Sequence, residues 1–212
     1  MTRDLDPDAI VWNAAADDRE GRPLLVVMHG RGSDERDLAA LAPELPGEYV
    51  IASLRAPIAE GPGWSWWEPG GRHGDPDAED VDASAAGVLR WLDALPFTPG
   101  TVGALGFSQG GAMSTHLLRR APGRIAFAAN IAGFLISGPQ EGDAALAVSR
   151  PPVLWARGGA DELFTPELVE RTAPWLATHA EATVRVYPGL GHSISREELD
   201  DIAGFLRAQL TH

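Results

Sequence analysis

Apolar and polar positions along this 212-residue chain fall into two alternating rhythms. Short continuous apolar runs such as Leu24-Leu25-Val26-Val27-Met28 read as strands buried on both faces. Between them, apolar residues recur at helical spacing. Val81, Ala85, Val88, Leu89, Leu92 and Leu95 make one such stripe, and Leu199, Ile202, Ala203, Leu206 and Leu210 make another. The pattern predicts strands at 10–13, 24–28, 49–52, 101–107, 125–131, 152–156 and 183–187. It predicts helices at 34–41, 77–95, 109–120, 166–179 and 196–210. Strand and helix in alternation imply an α/β class, with a mostly parallel, doubly wound sheet flanked by helices. The length suits one domain over 1–212, with no room for a separate cap domain.

Gly106-Phe107-Ser108-Gln109-Gly110 stands between the strand at 101–107 and the helix at 109–120. A G-x-S-x-G at a sharp strand-to-helix turn forces the serine into an unfavourable backbone conformation and lifts its hydroxyl above the sheet. The flanking glycines are required because a Cβ on either would collide across the turn; Gly111 is expected to add slack. Ser108 is therefore the candidate nucleophile. A serine hydroxyl is weak at neutral pH, so it needs a base, an orienting acid and an oxyanion hole.

After this kind of turn the order along the chain is serine, acid, histidine. His116 lies within the following helix, His179 ends a helix and His212 is terminal. His192 follows the strand at 183–187 through Pro188-Gly189-Leu190-Gly191 and precedes the last helix, so it is the candidate general base. Asp161 is the first carboxylate past the strand at 152–156 and is the candidate acid. Glu162 beside it is the alternative, and Asp161 could instead cap the turn. The backbone N–H of Gln109 and that of Arg31, in His29-Gly30-Arg31-Gly32-Ser33-Asp34, would form the oxyanion hole. The Arg31 side chain is expected to pair with Glu35 or Asp37, and His29 to support its loop.

These segments resemble the phospholipase/carboxylesterase family of α/β-hydrolases, which includes acyl-protein thioesterases and small bacterial carboxylesterases. The residues that carry the resemblance are His29-Gly30-Arg31-Gly32, Arg55-Ala56-Pro57, Gly106-Phe107-Ser108-Gln109-Gly110-Gly111, Gly158-Gly159-Ala160-Asp161 with Pro166, and Gly191-His192. Arg31 is similar to the bacterial esterase branch, and Arg157 departs from the histidine that many relatives carry ahead of Gly-x-x-Asp. The resemblance implies an α/β-hydrolase fold and a Ser108-His192-Asp161 triad. The implied reaction is hydrolysis of small to medium acyl esters through an acyl-enzyme, with thioester or lysophospholipid hydrolysis by the same residues as the alternative. A catalytically inactive binding relative is a third reading.

Composition narrows the rest. Without cysteine there is no disulfide, thiolate metal site or cysteine nucleophile. No cofactor and no metal site are expected, because the histidines lack paired spacing. A formal charge of −13 disfavours nucleic acid and anionic membranes. No apolar run reaches the ~20 residues of a membrane span, and the first residues lack signal-peptide features, which implies a cytoplasmic protein. The expected partner is a small-molecule ester, with a homodimer left open. Three of seven tryptophans, Trp64, Trp66 and Trp67, crowd a Gly- and Pro-rich connection on the same rim as Ser108. They could line the substrate pocket or form a mini-core that pins the loop.

Overall fold

The structure is a computed structural model describing residues 3–68, 70 and 74–211; Pro69 and Gly71–His73 of the tryptophan-bearing connection lie outside the described residues. In chain order its strands are β1 (Val11–Trp12), β2 (Leu24–Met28), β3 (Val50–Leu54), β4 (Ile58–Glu60), β5 (Gly63–Ser65), β6 (Val102–Phe107), β7 (Phe127–Ile131), β8 (Pro152–Gly158) and β9 (Glu181–Tyr187). The α-helices are α1 (Ala78–Asp93), α2 (Gln109–Arg120), α3 (Asp143–Ser149), α4 (Pro166–His179) and α5 (Arg196–Gln209). Among the described residues, seven strands form one sheet in the order β1-β3-β2-β6-β7-β8-β9, parallel except for β1 on β3. This is the expected α/β architecture, and no separate cap domain covers it among the described residues.

Alternation along β2 divides the core. Leu24, Val26 and Met28 pack on one face with Val81 and Val88 of α1 and Met113 and Leu117 of α2. Leu25 and Val27 pack on the other face with Ile202 and Leu206 of α5. All five β2 residues are buried, each worth about 1.5–3 kcal/mol by removal from water, which explains the continuous apolar run.

The structure departs from the sequence pattern at three places. The helix expected at 34–41 is replaced by turns and a 3-10 helix, Leu38–Glu44. Asp34 Oδ1 accepts from Arg36 N–H at 2.7 Å, and Ser33 Oγ–H donates to Asp37 at 2.8 Å, local bonds that compete with an α-helix. The short helix α3 was not expected. The connection expected as loop contains the hairpin β4–β5, turned at Gly61 with φ 58°. Three-residue strands and a seven-residue helix are too short to show a period in sequence. No helix among the described residues is long and apolar enough to cross a membrane.

Glu198 stands out in the first turn of α5. Its backbone N–H donates to Ser195 Oγ at 3.1 Å, the first half of a capping box. The carboxyl is fully buried and, among the described residues, neither oxygen has a hydrogen-bond partner of good geometry. Burial pushes its pKa from 4.5 up to about 7, an effect that the nearby Ser195 N–H only partly offsets. The unfolded chain releases this proton first, so stability falls as pH rises from 4.5 to about 7 and then levels. Glu198→Gln should shrink the stability difference between pH 5 and pH 8 by up to roughly 3 kcal/mol, measured by urea unfolding at both pH values. An unchanged difference would mean that Glu198 titrates as it does in water.

Candidate active site

The β6–α2 turn has the backbone its sequence demands. Ser108 sits at φ 56°, ψ −115°, a strained conformation for a residue with a side chain. Its N–H donates to the Ile131 carbonyl at 2.8 Å, and its carbonyl accepts from Ala112 N–H at 3.0 Å, so neighbours on both sides hold it. A Cβ on Gly106 would stand 2.0 Å from the Gly110 carbonyl oxygen, and one on Gly110 would stand 1.9 Å from that of Met28. Gly111 adds no slack. A Cβ there would meet Asn130 Oδ1 and the Ile131 carbonyl oxygen, each at 2.8 Å, so this position is also tightly packed.

Two later strand ends supply the imidazole and the carboxylate. β8 and β9 pair in parallel as far as Gly158 and Tyr187, so their exit loops leave side by side. His192 Nε2 lies 2.9 Å from Ser108 Oγ, and His192 Nδ1 lies 2.7 Å from Asp161 Oδ2. A carboxylate only accepts, so Nδ1 carries the proton and Nε2 is free to accept the serine proton. The Asp161 side chain is fully shielded from water, and its Oδ1 accepts from Leu163 N–H at 3.0 Å. Glu162 is exposed. The Phe107 ring packs on the His192 imidazole at 4.9 Å.

Among the described residues, the other histidines lie elsewhere; His73 and His212 are outside the described residues. His116 is buried against Asp82 at 2.7 Å, and His179 stacks on Trp175. His29 is a loop support: its Nδ1–H donates to the Gly30 carbonyl at 2.7 Å, and its Nε2 accepts from Ala56 N–H at 3.1 Å. Burial lowers its pKa and keeps it neutral. The Arg157 guanidinium lies over the rings of Trp155 and Phe164, at 5.6 and 5.4 Å.

Parallel pairing of Met28 with Gly106 brings the β2 exit loop beside the serine turn. Arg31 and Gln109 thereby border the same cavity as Ser108, and neither backbone N–H donates to a protein acceptor among the described residues. The Arg31 side chain pairs with Glu60 at 2.7 Å, in place of the expected Glu35 or Asp37. Glu35 is instead buried beneath a two-pronged bond from Arg55, at 2.7 and 2.6 Å, which holds its carboxyl below the usual range.

The three tryptophans separate. Trp67 lines the cavity, its ring 6.3 Å from that of Phe134. Trp66 is fully buried and does not line it, which corrects the expectation of a substrate contact. Trp64 is also absent from the lining; it pairs with Ser33 along the backbone, and the Arg55 guanidinium covers its ring at 4.8 Å. The cavity, about 490 Å³ and open to solvent, has an apolar wall of Trp67, Phe107, Phe134 and Leu163. Phe134 and Leu163 were missed in the sequence. Both follow strands at the carboxyl edge of the sheet, the one signal that could have found them. Among the described residues, no cluster of side chains could hold a metal ion.

Comparison with known proteins gives a consistent lineage. The chain is 37% identical over 149 residues to the putative esterase NocK of Nocardia uniformis, covering 68% of this chain and 41% of that protein. It thus spans well under half of that relative's length. It is 27% identical to acyl-protein thioesterase 1 of Eremothecium gossypii, over 92% of both chains. Among solved structures, the crystal structure of esterase PE8 superposes with a TM-score of 0.76 at 25% identity, over 97% of this chain and 99% of that one. A profile of the phospholipase/carboxylesterase family matches residues 13–210, and this chain belongs to that family.

Proposed function

We propose that this protein is a serine carboxylesterase that cleaves esters of small to medium acyl length through an acyl-enzyme. The observation that carries this reading is the continuous chain from Ser108 Oγ to His192 Nε2 and from His192 Nδ1 to Asp161, at 2.9 and 2.7 Å, on a strained strand-to-helix turn. Ser108 Oγ attacks the ester carbonyl carbon as His192 Nε2 takes its proton. The carbonyl oxygen becomes an oxyanion, received by the N–H groups of Arg31 and Gln109. Collapse of the intermediate expels the alcohol, which takes the proton from His192. Water then attacks the acyl-enzyme by the same route and releases the acid. Asp161, shielded from water, holds the imidazole in one tautomer and stabilises the imidazolium.

A cavity of this size, bordered by aromatic side chains and uncapped among the described residues, suits a short acyl chain with the alcohol directed outward. Thioester hydrolysis is the second reading, favoured by the alignment with the Eremothecium gossypii protein over 92% of both chains. The same three residues would serve, and a thiolate is the easier group to expel. Parallel assays on oxygen esters and thioesters of matched acyl length decide between the two.

Ser108→Ala should lower turnover ~10³-fold or more while leaving the fold intact, with the residue of activity coming from the oxyanion site and binding. A folded variant with normal turnover would overturn the reading. Asp161→Asn should cost ~10²-fold or more in kcat with KM little changed, whereas Glu162→Gln should be close to neutral. If the effects are reversed, Glu162 is the acid. Trp67→Ala should raise the relative rate on longer esters, because about 1–3 kcal/mol of discrimination attaches to each methylene that gains or loses room. Trp64→Ala should leave the chain-length profile in place. A rate series over acyl lengths on both variants tests the assignment, and an unchanged profile for Trp67→Ala removes that residue from the acyl wall.

A further inference from the structure

Trp66 borders no part of the cavity, yet its polar groups converge on the segments that form it. Its indole Nε1–H donates to the His29 carbonyl at 2.9 Å, in the loop that carries Arg31. Its backbone N–H donates to Gln109 Oε1 at 2.9 Å, in the first turn of α2. Its carbonyl accepts from Ser84 Oγ at 2.5 Å, on α1. The Trp66 residue is wholly buried, and its ring lies 5.7 Å from that of His29, which is itself bonded at both nitrogens. A single side chain and its peptide groups therefore bridge the two segments that carry Arg31 and Gln109, both of which border the cavity with Ser108.

The hairpin immediately before Trp66 grips the same loop from outside. Gly32 N–H donates to the Trp64 carbonyl, and Trp64 N–H donates to the Ser33 carbonyl, both at 2.9 Å. A Cβ on Gly63 would stand 2.0 Å from the Gly32 carbonyl oxygen, so the hairpin backbone lies directly on the loop. Glu60 of β4 holds the Arg31 guanidinium. Loop 29–33 is thus pressed between the hairpin and the β6–α2 turn, with Trp66 fastening one to the other.

We propose that Trp66 is a positioning residue that sets the spacing of the Arg31 and Gln109 N–H donors. The inference rests on the acyl-transfer reading above. Two donors on separate segments must meet one oxyanion at about 2.7–3.1 Å, and a displacement of a few tenths of an ångström weakens the bonds that form in the transition state. Ground-state contacts belong to Trp67, Phe107 and Phe134 instead, so loosening this clamp acts on kcat and leaves KM in place. The same geometry gives tryptophan at 66 a role that phenylalanine lacks, since the smaller phenyl ring stays apolar but has no N–H to donate to the His29 carbonyl.

The test is Trp66→Phe, assayed on p-nitrophenyl acetate and with a trifluoromethyl ketone. That ketone adds Ser108 Oγ at its carbonyl carbon while His192 takes the proton, so its oxygen becomes an oxyanion. We expect kcat to fall ~10-fold or more, KM to stay within about twofold, and ketone affinity to fall in parallel with kcat. Tyr49→Phe serves as the control. It removes a buried hydrogen bond, Tyr49 OH to the Leu206 carbonyl at 2.9 Å, far from the cavity, and should lower Tm without changing kcat. Should Trp66→Phe fail to fold, Ser84→Ala loosens the same clamp from α1 and should show the same split between kcat and KM. Normal kcat and ketone affinity in the folded variant, with a loss of Tm like that of Tyr49→Phe, would make Trp66 a core residue only and overturn the proposal. Ser108→Ala assayed alongside keeps the two readings apart: its inactivity beside a normal Trp66 variant sinks the clamp alone, and its activity sinks both.

Discussion

The candidate site depends on one close approach of backbone to backbone. Gly110, in the first turn of α2, lies so near the Met28 carbonyl that a Cβ would stand 1.9 Å from its oxygen. No side chain separates the start of this helix from the end of β2. The parallel register of Met28 with Gly106 makes the contact possible, because both strands end at the same edge. β2 connects onward to β3 on one side, and β6 connects onward to β7 on the other. Their exit loops therefore diverge and leave a crevice at the carboxyl edge, where a parallel sheet accepts ligands. Ser108, Gln109 and Arg31 all border that crevice.

Polar groups near the site are arranged so that few are left in conflict with the low-dielectric interior. The buried Asp161 carboxylate accepts from His192 and from the Leu163 amide, which offsets the cost of removing its charge from water. Glu35, equally buried, is satisfied by both prongs of Arg55. His29 is neutral, since burial lowers its pKa and both nitrogens are engaged. Glu198 is the contrast. It is buried with no good partner among the described residues and lies six residues past His192, and burial pushes its carboxyl up, favouring the proton over the charge.

Crowding of tryptophans in one loop conceals a division of labour. Trp67 presents its surface to the cavity, Trp64 is bound edgewise to the β2 exit loop and covered by Arg55, and Trp66 spans the space between that loop and α2. The structure divides the segment: Trp67 borders the cavity, while Trp66 packs in the core and Trp64 lies against the β2 exit loop. The reason is local geometry. β5 ends at Ser65, so side chains beyond it are freed from strict two-sided alternation, and each indole finds its own partners.

Much of the architecture was legible from sequence because it rests on local periodicity. The continuous apolar runs of β2 and β6 and the stripes of α1 and α5 each encode burial within a few residues. The serine turn was legible for the same reason where its constraint is local: a Cβ on Gly106 would meet the Gly110 carbonyl four residues on, whereas the limit on Gly110 comes from Met28 across the sheet. Residues that meet only through the sheet were legible solely as candidates. Sequence placed His192 and Asp161 at strand ends but left Glu162 open; the parallel exit of β8 and β9 brings His192 to 2.7 Å from Asp161 and leaves Glu162 in solvent. It likewise offered Glu35 or Asp37 to Arg31, while the unforeseen β4–β5 hairpin supplies Glu60. Three-residue strands carry no readable period, and an ion pair between residues 29 positions apart is decided by how loops pack. Sequence thus determined which candidate groups the chain carries and which turn presents Ser108. Tertiary structure alone decided which tryptophan faces the cavity and which one fastens its walls, because burial and hydrogen-bond partners for a loop residue come from other parts of the chain.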